Sequence, residues 1–157
     1  GLSELVSGGS RRGIQTSGLV VSIRGDCGLI ERCPECRRVL RDGACQEHES
    51  QRGVEDLRLR FVIDNGTANA SVILPRESSE DFLGMKMEDV AIQISTRGHD
   101  EFVSGLRHDL LGQRVSIKGR AVIDQQGAML ISDDFNVSES STIGLAEEIM
   151  SKWGVIL

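Results

Sequence analysis

The sequence predicts a mainly β fold: a small five-stranded barrel with an inserted metal-binding segment, a helical connection and a C-terminal helix. Three observations predict this fold. Short β-branched or alternating segments recur along the chain, the apolar period becomes helical between the third and fourth of them, and a paired Cys/His motif follows the first. At 157 residues the chain has the size of one domain, 1–157, that can bury its own core.

The first strand is predicted at 14–24, a short β-branched and apolar run (IQTSGLVVSIR). The second, 57–63 (LRLRFVI), alternates between a core face and an outward face. The core face carries Leu57, Leu59, Phe61 and Ile63. The outward face carries Arg58, Arg60 and Val62. Asn65-Gly66 then suits the paired positive φ values of a hairpin turn, and 68–74 returns as the partner strand.

Residues 77–112 change to helical spacing, which predicts two helices. The first starts at 78–81, with apolar contacts at Phe82, Leu83, Met85 and Met87. The second spans 100–111 and gathers its apolar residues on one face, namely Phe102, Val103, Leu106, Leu110 and Leu111. A strand at 115–123 and its partner at 128–132 follow. The last helix, 142–157, is amphipathic because apolar residues recur at helical spacing, at Ala146, Ile149, Met150 and Trp153.

Five strands with a helical link between the third and fourth match a Greek-key barrel of the oligonucleotide/oligosaccharide-binding (OB) type. Another small β barrel with a helical insert has the same order of elements, so the pattern by itself leaves both folds open.

The most specific motif is the segment 33–48 (CPECRRVLRDGACQEH). Two residues separate Cys33 from Cys36, and two separate Cys45 from His48. Each short turn presents two donors at the spacing that a tetrahedral zinc ion needs. We interpret the four side chains as ligands of one zinc ion. A disulfide pair or scattered reduced thiols are the alternatives.

Two aspects of the motif stay open in the sequence. Cys27 lies six residues before Cys33 and can replace His48 as fourth ligand, although the symmetric spacing favours His48 and leaves Cys27 as a small buried thiol. We interpret the metal as structural rather than catalytic, because four protein donors leave no position for water. Glu47 is interpreted as a solvated loop charge.

Composition excludes several classes of protein. Hydrophobic residues make up 39% and charged residues 27%, as in soluble globular proteins. No apolar run of about eighteen residues predicts a membrane span, and no signal peptide opens the chain. Three of the four cysteines lie in the metal motif, which suits a reducing cytosol, so we expect a cytoplasmic protein. No catalytic motif stands out, so we expect neither an enzyme nor a small-molecule substrate. The chain begins with Gly1, so we interpret it as a piece of a longer protein or as carrying a tag remnant.

Two segments, RGDCGLIERCPECRRVLRDGACQEH and LRLRFVIDNGT, resemble the zinc-containing OB domain of archaeal replication protein A. The similarity extends over 14–153 and is most specific over 25–67. It implies a zinc ribbon inserted at 25–50 after the first strand. It also implies a terminal helix at 142–157 that assembles with other replication protein A subunits or domains. A nucleoid-associated role in DNA replication, repair and recombination is implied as well. Cys27 and the scarcity of aromatic residues depart from the family pattern.

The outward face of strands 2 and 3 binds single strands in OB domains, so Arg58 and Arg60 are candidate contacts to single-stranded DNA. The alternative is that they only make an exposed sheet face soluble. Further basic residues extend this path from the first strand, the ribbon and the fourth strand, namely Arg24, Arg38, Arg41, Lys118 and Arg120.

Base stacking is the weak part of this prediction. The chain has no Tyr, one Trp and four Phe, and only Phe135 is not already assigned to a core or helix position. The net charge is −6. We therefore expect the module to bind single-stranded DNA weakly by itself and to gain affinity from linked domains. The alternative is a subunit-assembly module with little DNA binding, and the terminal helix either packs on partner subunits or folds back on its own barrel.

Overall fold

The computed structural model describes residues 11–40, 45, 47–48, 53–124 and 127–138. The elements in this part of the chain are β1 (Arg11–Ile23), β2 (Gly28–Arg32), β3 (Val54–Asp64), β4 (Asn69–Leu74), α1 (Arg76–Leu83), α2 (Met87–Arg97), α3 (His99–Leu110), β5 (Arg114–Asp124) and β6 (Gly127–Val137). None of these helices is long and apolar enough to cross a membrane. The predicted terminal helix, 142–157, and Arg41 lie outside the described residues.

Five of the strands close into a barrel. β1 pairs antiparallel with β3 and with β5, β5 pairs with β6, β6 runs parallel to β4, and β4 pairs with β3 to complete the circle. The helices α1 to α3 occupy the connection between β4 and β5, which are the third and fourth strands of the barrel. This strand order, with a helical link at the predicted place, is that of an OB-like barrel.

β2 is a sixth strand, which the five-strand prediction misses. It pairs antiparallel with β3, from Gly28 opposite Arg58 to Arg32 opposite Val54. Five residues are too few for a periodic signal, and the strand forms because the first half of β3 extends past the barrel and offers an unpaired edge. The metal motif therefore starts from a strand of the sheet.

The core is built around β3, as its alternation predicts. Leu57, Leu59, Phe61 and Ile63 are each 0–1% exposed and form one cluster with apolar residues of the other strands and the helices. Full burial of each such side chain stabilises the fold by roughly 1.5–3 kcal/mol. The other side of β3 is left for polar contacts.

The hairpin after β3 is confirmed, but the predicted backbone of its turn is wrong. Gly66 has a φ of 93°, whereas Asn65 does not take a positive φ. The Oδ1 atom of Asn65 instead accepts hydrogen bonds from the backbone N–H groups of Thr67 and Ala68, at 3.0 and 3.1 Å. Because this side chain satisfies the loop donors itself, residues 65–68 form an Asx-stabilised loop rather than a two-residue turn.

The helical connection contains three helices where the spacing predicts two. α1 begins after Pro75 and ends at Leu83, and a separate helix α2 begins at Met87, so the prediction that Met85 and Met87 belong to the first helix is wrong. α3 buries four of its five predicted apolar residues, namely Phe102, Val103, Leu106 and Leu110. Leu111 is 40% exposed, because the helix ends before it and its backbone is extended.

Candidate functional site

The four side chains of the metal motif converge on one point. Their donor atoms all lie within 4.8 Å of one another and belong to Cys33, Cys36, Cys45 and His48. The Nδ1 atom of His48 is 3.6 Å from Sγ of Cys33 and 3.6 Å from Sγ of Cys45, and Sγ of Cys36 is 3.7 Å from Sγ of Cys45. A zinc–sulfur bond of about 2.3 Å gives a tetrahedron with edges of about 3.8 Å. The donor set and its dimensions therefore fit one tetrahedral metal ion.

A tight turn after β2 positions the first two donors. The N–H of Arg37 donates to the carbonyl oxygen of Cys33 at 2.9 Å, and Arg37 itself has a φ of 65°. The chain then returns alongside β2, since the N–H of Cys33 donates to the carbonyl oxygen of Arg38 at 2.8 Å and Val39 forms a bridge with Arg32. The guanidinium of Arg32 also donates to the Arg37 carbonyl at 2.9 Å. The sheet thus holds the turn at its base.

Local hydrogen bonds favour the metal-binding form of Cys45. The backbone N–H of Glu47, followed by the ring of His48, lowers the pKa of the Cys45 thiol to about 6. The thiolate, which is the form that binds metal, therefore dominates at neutral pH. The same contact with Cys45 raises the pKa of His48. Metal binding at both donors therefore competes with protons.

Glu35 contacts the far side of the His48 ring. Its Oε2 atom is 3.1 Å from Nε2 of His48, while Nδ1 faces the thiols. A carboxylate on the second ring nitrogen sets the tautomer and the orientation of a metal-binding histidine. The sequence analysis did not predict this role. The position of Glu35 between Cys33 and Cys36 could have suggested it. Glu47 is exposed, as expected of a loop charge, and it pairs with Arg38 at 2.8 Å.

Cys27 lies outside this group of donors. It is 1% exposed and belongs to the apolar core. Its thiol donates to the carbonyl oxygen of Arg60 at 3.1 Å and accepts from the N–H of Arg60 at 3.0 Å, and burial raises its pKa. All four cysteines of the chain are free thiols. The fold therefore brings His48, and not Cys27, to the other three donors.

Arg58 and Arg60 lie on the outward side of β3, opposite the core. Their side chains are only 12% and 21% exposed, respectively. Both guanidinium groups donate to Oδ2 of Asp26, Arg58 at 3.0 Å and Arg60 at 3.4 Å. Burial lowers the pKa of Arg58. The two side chains are thus partly buried and ion-paired, which is more than an exposed sheet face needs for solubility.

The other predicted basic residues are spread over the surface. Arg24 is exposed at the end of β1, and its N–H donates to the carbonyl oxygen of Arg60 at 2.9 Å. Arg38 is already paired at the metal motif. Lys118 and Arg120 are exposed on β5, which does not pair with β3. The fold therefore places Arg24 beside the Arg58–Arg60 pair and leaves the β5 residues apart from it.

The phenylalanines pack inward. Phe61 is 0% exposed and Phe102 is 7% exposed. Phe135, which the pattern left unassigned, contacts the ring of Phe61 with centroids 5.6 Å apart and the ring of Phe82 at 5.5 Å. Since these are all four phenylalanines and the chain has no tyrosine, the described barrel has no aromatic platform for base stacking. The single tryptophan, Trp153, lies outside the described residues.

Two solved structures have a similar backbone. A chain of a replication protein A heterotrimer bound to single-stranded DNA superposes with a TM-score of 0.55 and 13% identity, over 92% of this chain. This chain spans 35% of that one. Yeast replication protein A bound to single-stranded DNA superposes with a TM-score of 0.50 and 14% identity, over 90% of this chain and 87% of the yeast chain.

The similarity is one of fold. No family model matches the sequence, and no curated protein matches it. At this level of identity the backbone path is shared while individual side chains are not. The barrel therefore has the fold of these replication protein A chains, and its chemistry has to be argued from its own residues.

Proposed function

We propose that this chain is a single-stranded-DNA-binding module of a replication protein A-like protein that acts in DNA replication, repair and recombination. The observation that carries the proposal is the position of Arg58 and Arg60 on the outward side of β3 in an OB-like barrel. In OB domains, single strands bind on that side of the second and third barrel strands, which are β3 and β4 in this protein. The two solved structures of similar fold were both determined with single-stranded DNA.

The proposed contacts are mainly to the DNA backbone. A guanidinium group matches a phosphate with two parallel hydrogen bonds, so Arg58 and Arg60 suit phosphates of the strand, with Arg24 beside them. Aromatic stacking is worth about 1–3 kcal/mol per base where it occurs, and this barrel lacks the side chains for it. Binding by this module alone is therefore weak and strongly salt-dependent, and linked domains raise the affinity of the whole protein.

We also propose that Cys33, Cys36, Cys45 and His48 bind one structural zinc ion. Thiolate and imidazole donors in a tetrahedral arrangement are typical of zinc, and four protein donors close its shell against water. The ion stabilises the fold of the ribbon, 25–50, and takes no part in catalysis. Free thiols at this site fit a reducing cytosol.

A subunit-assembly module is the second candidate function. It is favoured by the missing aromatic platform and by the pairing of both arginines with Asp26. One of the solved structures of similar fold is a heterotrimer. In this proposal the helix predicted at 142–157 packs against partner subunits. Analytical ultracentrifugation of the chain with and without 142–157 tests it, and a monomer of unchanged mass at every concentration would contradict self-assembly.

The deciding experiment is a fluorescence anisotropy titration with labelled oligo-dT across a salt series. The Arg58→Ala/Arg60→Ala variant is expected to bind at least tenfold more weakly, with a salt slope shallower by roughly 1.4, because two phosphates are no longer neutralised. Lys86→Ala/Arg114→Ala, at exposed positions before α2 and at the start of β5, is the control with the same charge change. No binding by the unchanged chain, or equal binding by both double variants, would favour the assembly module.

A further inference from the structure

A short turn presents Asp26 to the arginine pair. Between β1 and β2 the N–H of Cys27 donates to the carbonyl oxygen of Arg24 at 3.3 Å, which closes the turn. Both ends of the turn are bonded to the backbone of Arg60. Arg24 donates its N–H to the Arg60 carbonyl at 2.9 Å, and the thiol of Cys27 bonds to the Arg60 carbonyl and N–H. The main chain, and not only the ion pair, therefore holds Asp26 over Arg58 and Arg60.

The charges in this cluster are unequal. Arg58 and Arg60 share the single Oδ2 atom of Asp26, so two positive groups face one negative group. The next arginine along the same face, Arg32, is neutralised by Asp56 at 2.6 Å. Among the described residues, the buried Nε atoms of Arg58 and Arg60 have no hydrogen-bond partner. The pair therefore carries one positive charge more than Asp26 compensates, and two neighbouring phosphodiesters of a strand would bring two negative charges and four unesterified oxygens to it.

The partners also differ in how accessible they are. The side chain of Asp26 is 47% exposed, whereas those of Arg58 and Arg60 are 12% and 21% exposed. The carboxylate is thus the outer group, and it can rotate into solvent while the packed arginine stems stay in place. Because the carboxylate is half exposed, solvent screens its attraction to the guanidinium groups, and two neighbouring phosphodiesters with twice its charge can replace it.

We propose that Asp26 occupies the position of a DNA backbone phosphate and gives way to it when a single strand binds. The proposal rests on the single-stranded DNA binding argued above and adds a residue that sets its strength. Asp26 keeps the two partly buried guanidinium groups compensated in the free protein. It also competes with every incoming anion, so a strand that touches several positions displaces it more readily than an isolated phosphate does.

The test is an Asp26→Asn variant in the oligo-dT titration. Asn suits the same turn, so the fold is expected to persist, and a thermal unfolding curve checks this. Binding is expected to become about threefold to tenfold tighter at low salt, because the strand no longer has to displace a carboxylate from the two guanidinium groups. Asp109→Asn on α3 makes the same change in net charge away from this cluster and is expected to bind like the unchanged protein.

Two further measurements tie the effect to the arginines. In an Arg58→Ala/Arg60→Ala background, Asp26→Asn is expected to change the affinity less than twofold, because the guanidinium groups for which Asp26 and the strand compete are absent. In the unchanged protein, the Nε–Hε NMR signals of Arg58 and Arg60 are expected to shift when oligo-dT is added. This second readout does not depend on the stability of any variant.

The outcomes separate the two proposals. If the unchanged protein binds oligo-dT but Asp26→Asn binds equally or more weakly, Asp26 orients the arginines and the competitor role is wrong. The proposal that Asp26 competes with a phosphate is also wrong if DNA binds and the Nε–Hε signals of both arginines do not shift. If neither the unchanged protein nor Asp26→Asn binds, the proposed function itself fails.

Discussion

The barrel and the metal motif are held together by different forces. Around β3 the barrel buries a continuous apolar cluster, with Leu59 and Phe61 at 1% and 0% exposure. In the metal motif only Cys33 is buried among the donors, and Cys36, Cys45 and His48 are partly exposed. The motif has little apolar surface to fold by burial, so in the proposed zinc site a bound ion would supply part of its stability.

The barrel and the metal motif also differ in what they contribute to the candidate DNA face. The barrel supplies a rigid sheet whose outward side presents the arginines, and its stability comes from the hydrophobic effect. The metal motif continues from β2, which pairs with β3 beside Arg58. An ion bound at the motif would therefore order a neighbour of the candidate DNA face and not the face itself.

Removal of the metal gives the largest expected effect and is confined to one region. A chelator such as EDTA is expected to abolish metal binding and the order of the motif, because the ion supplies the folding free energy there. The barrel keeps its own core and is expected to unfold cooperatively at nearly the same temperature. Circular dichroism melts and backbone NMR spectra with and without chelator check this. Loss of the cooperative transition would contradict the separation of the two regions.

A substitution in the barrel core is expected to leave the metal motif unaffected. Phe61→Ala removes a fully buried ring that contacts Phe135, and it is expected to lower the free energy of unfolding by about 3–5 kcal/mol. The metal content of the folded variant is expected to stay at one equivalent. Urea unfolding and atomic absorption measure the two quantities. A parallel loss of metal from the folded variant would show that the regions are coupled.

A smaller change distinguishes the donors from their support. Glu35→Gln removes the carboxylate beside Nε2 of His48 and is expected to lower the metal affinity about 10- to 100-fold. Glu47→Gln is the matched control, because Glu47 is exposed and its carboxylate contacts Arg38 instead of a donor. Competition with a chromophoric chelator gives both affinities. Equal effects of the two substitutions would rule out a specific role for Glu35.

The smallest expected effect concerns Cys27. Cys27→Ser places a hydroxyl in an apolar core position and is expected to cost the barrel about 1 kcal/mol while one equivalent of metal is retained. His48→Ala is expected to do the opposite, with weaker metal binding and an almost unchanged melting temperature. Metal titration of both variants checks this. Metal loss from folded Cys27→Ser would make that thiol a ligand.

Local patterns predicted much of the fold. The alternation of 57–63 is confirmed because one side of β3 faces the core, so burial follows the strand period. β2 was missed, since its pairing depends on the free edge of β3, which no local pattern reveals. The Asn65 loop was misread because a side-chain hydrogen bond competed with the turn that Asn-Gly usually forms.

The candidate site divides in the same way. The spacing of Cys33, Cys36, Cys45 and His48 is a local property, and their convergence follows from two short turns, so the sequence alone was enough to propose a metal site. The bond of Glu35 to the His48 ring needed the folded turn. Arg58 lies 32 positions after Asp26 in the sequence, and only the fold brings their side chains to 3.0 Å.

The sequence by itself determined the core side of β3 and the donor set of the metal motif, because period and spacing act over a few neighbouring residues. The tertiary structure decided which cysteine stays out of the metal group, that Phe135 packs inward, and that Arg58 and Arg60 face a carboxylate. Those outcomes depend on contacts between distant segments, whose charges and packing are set only when the barrel closes.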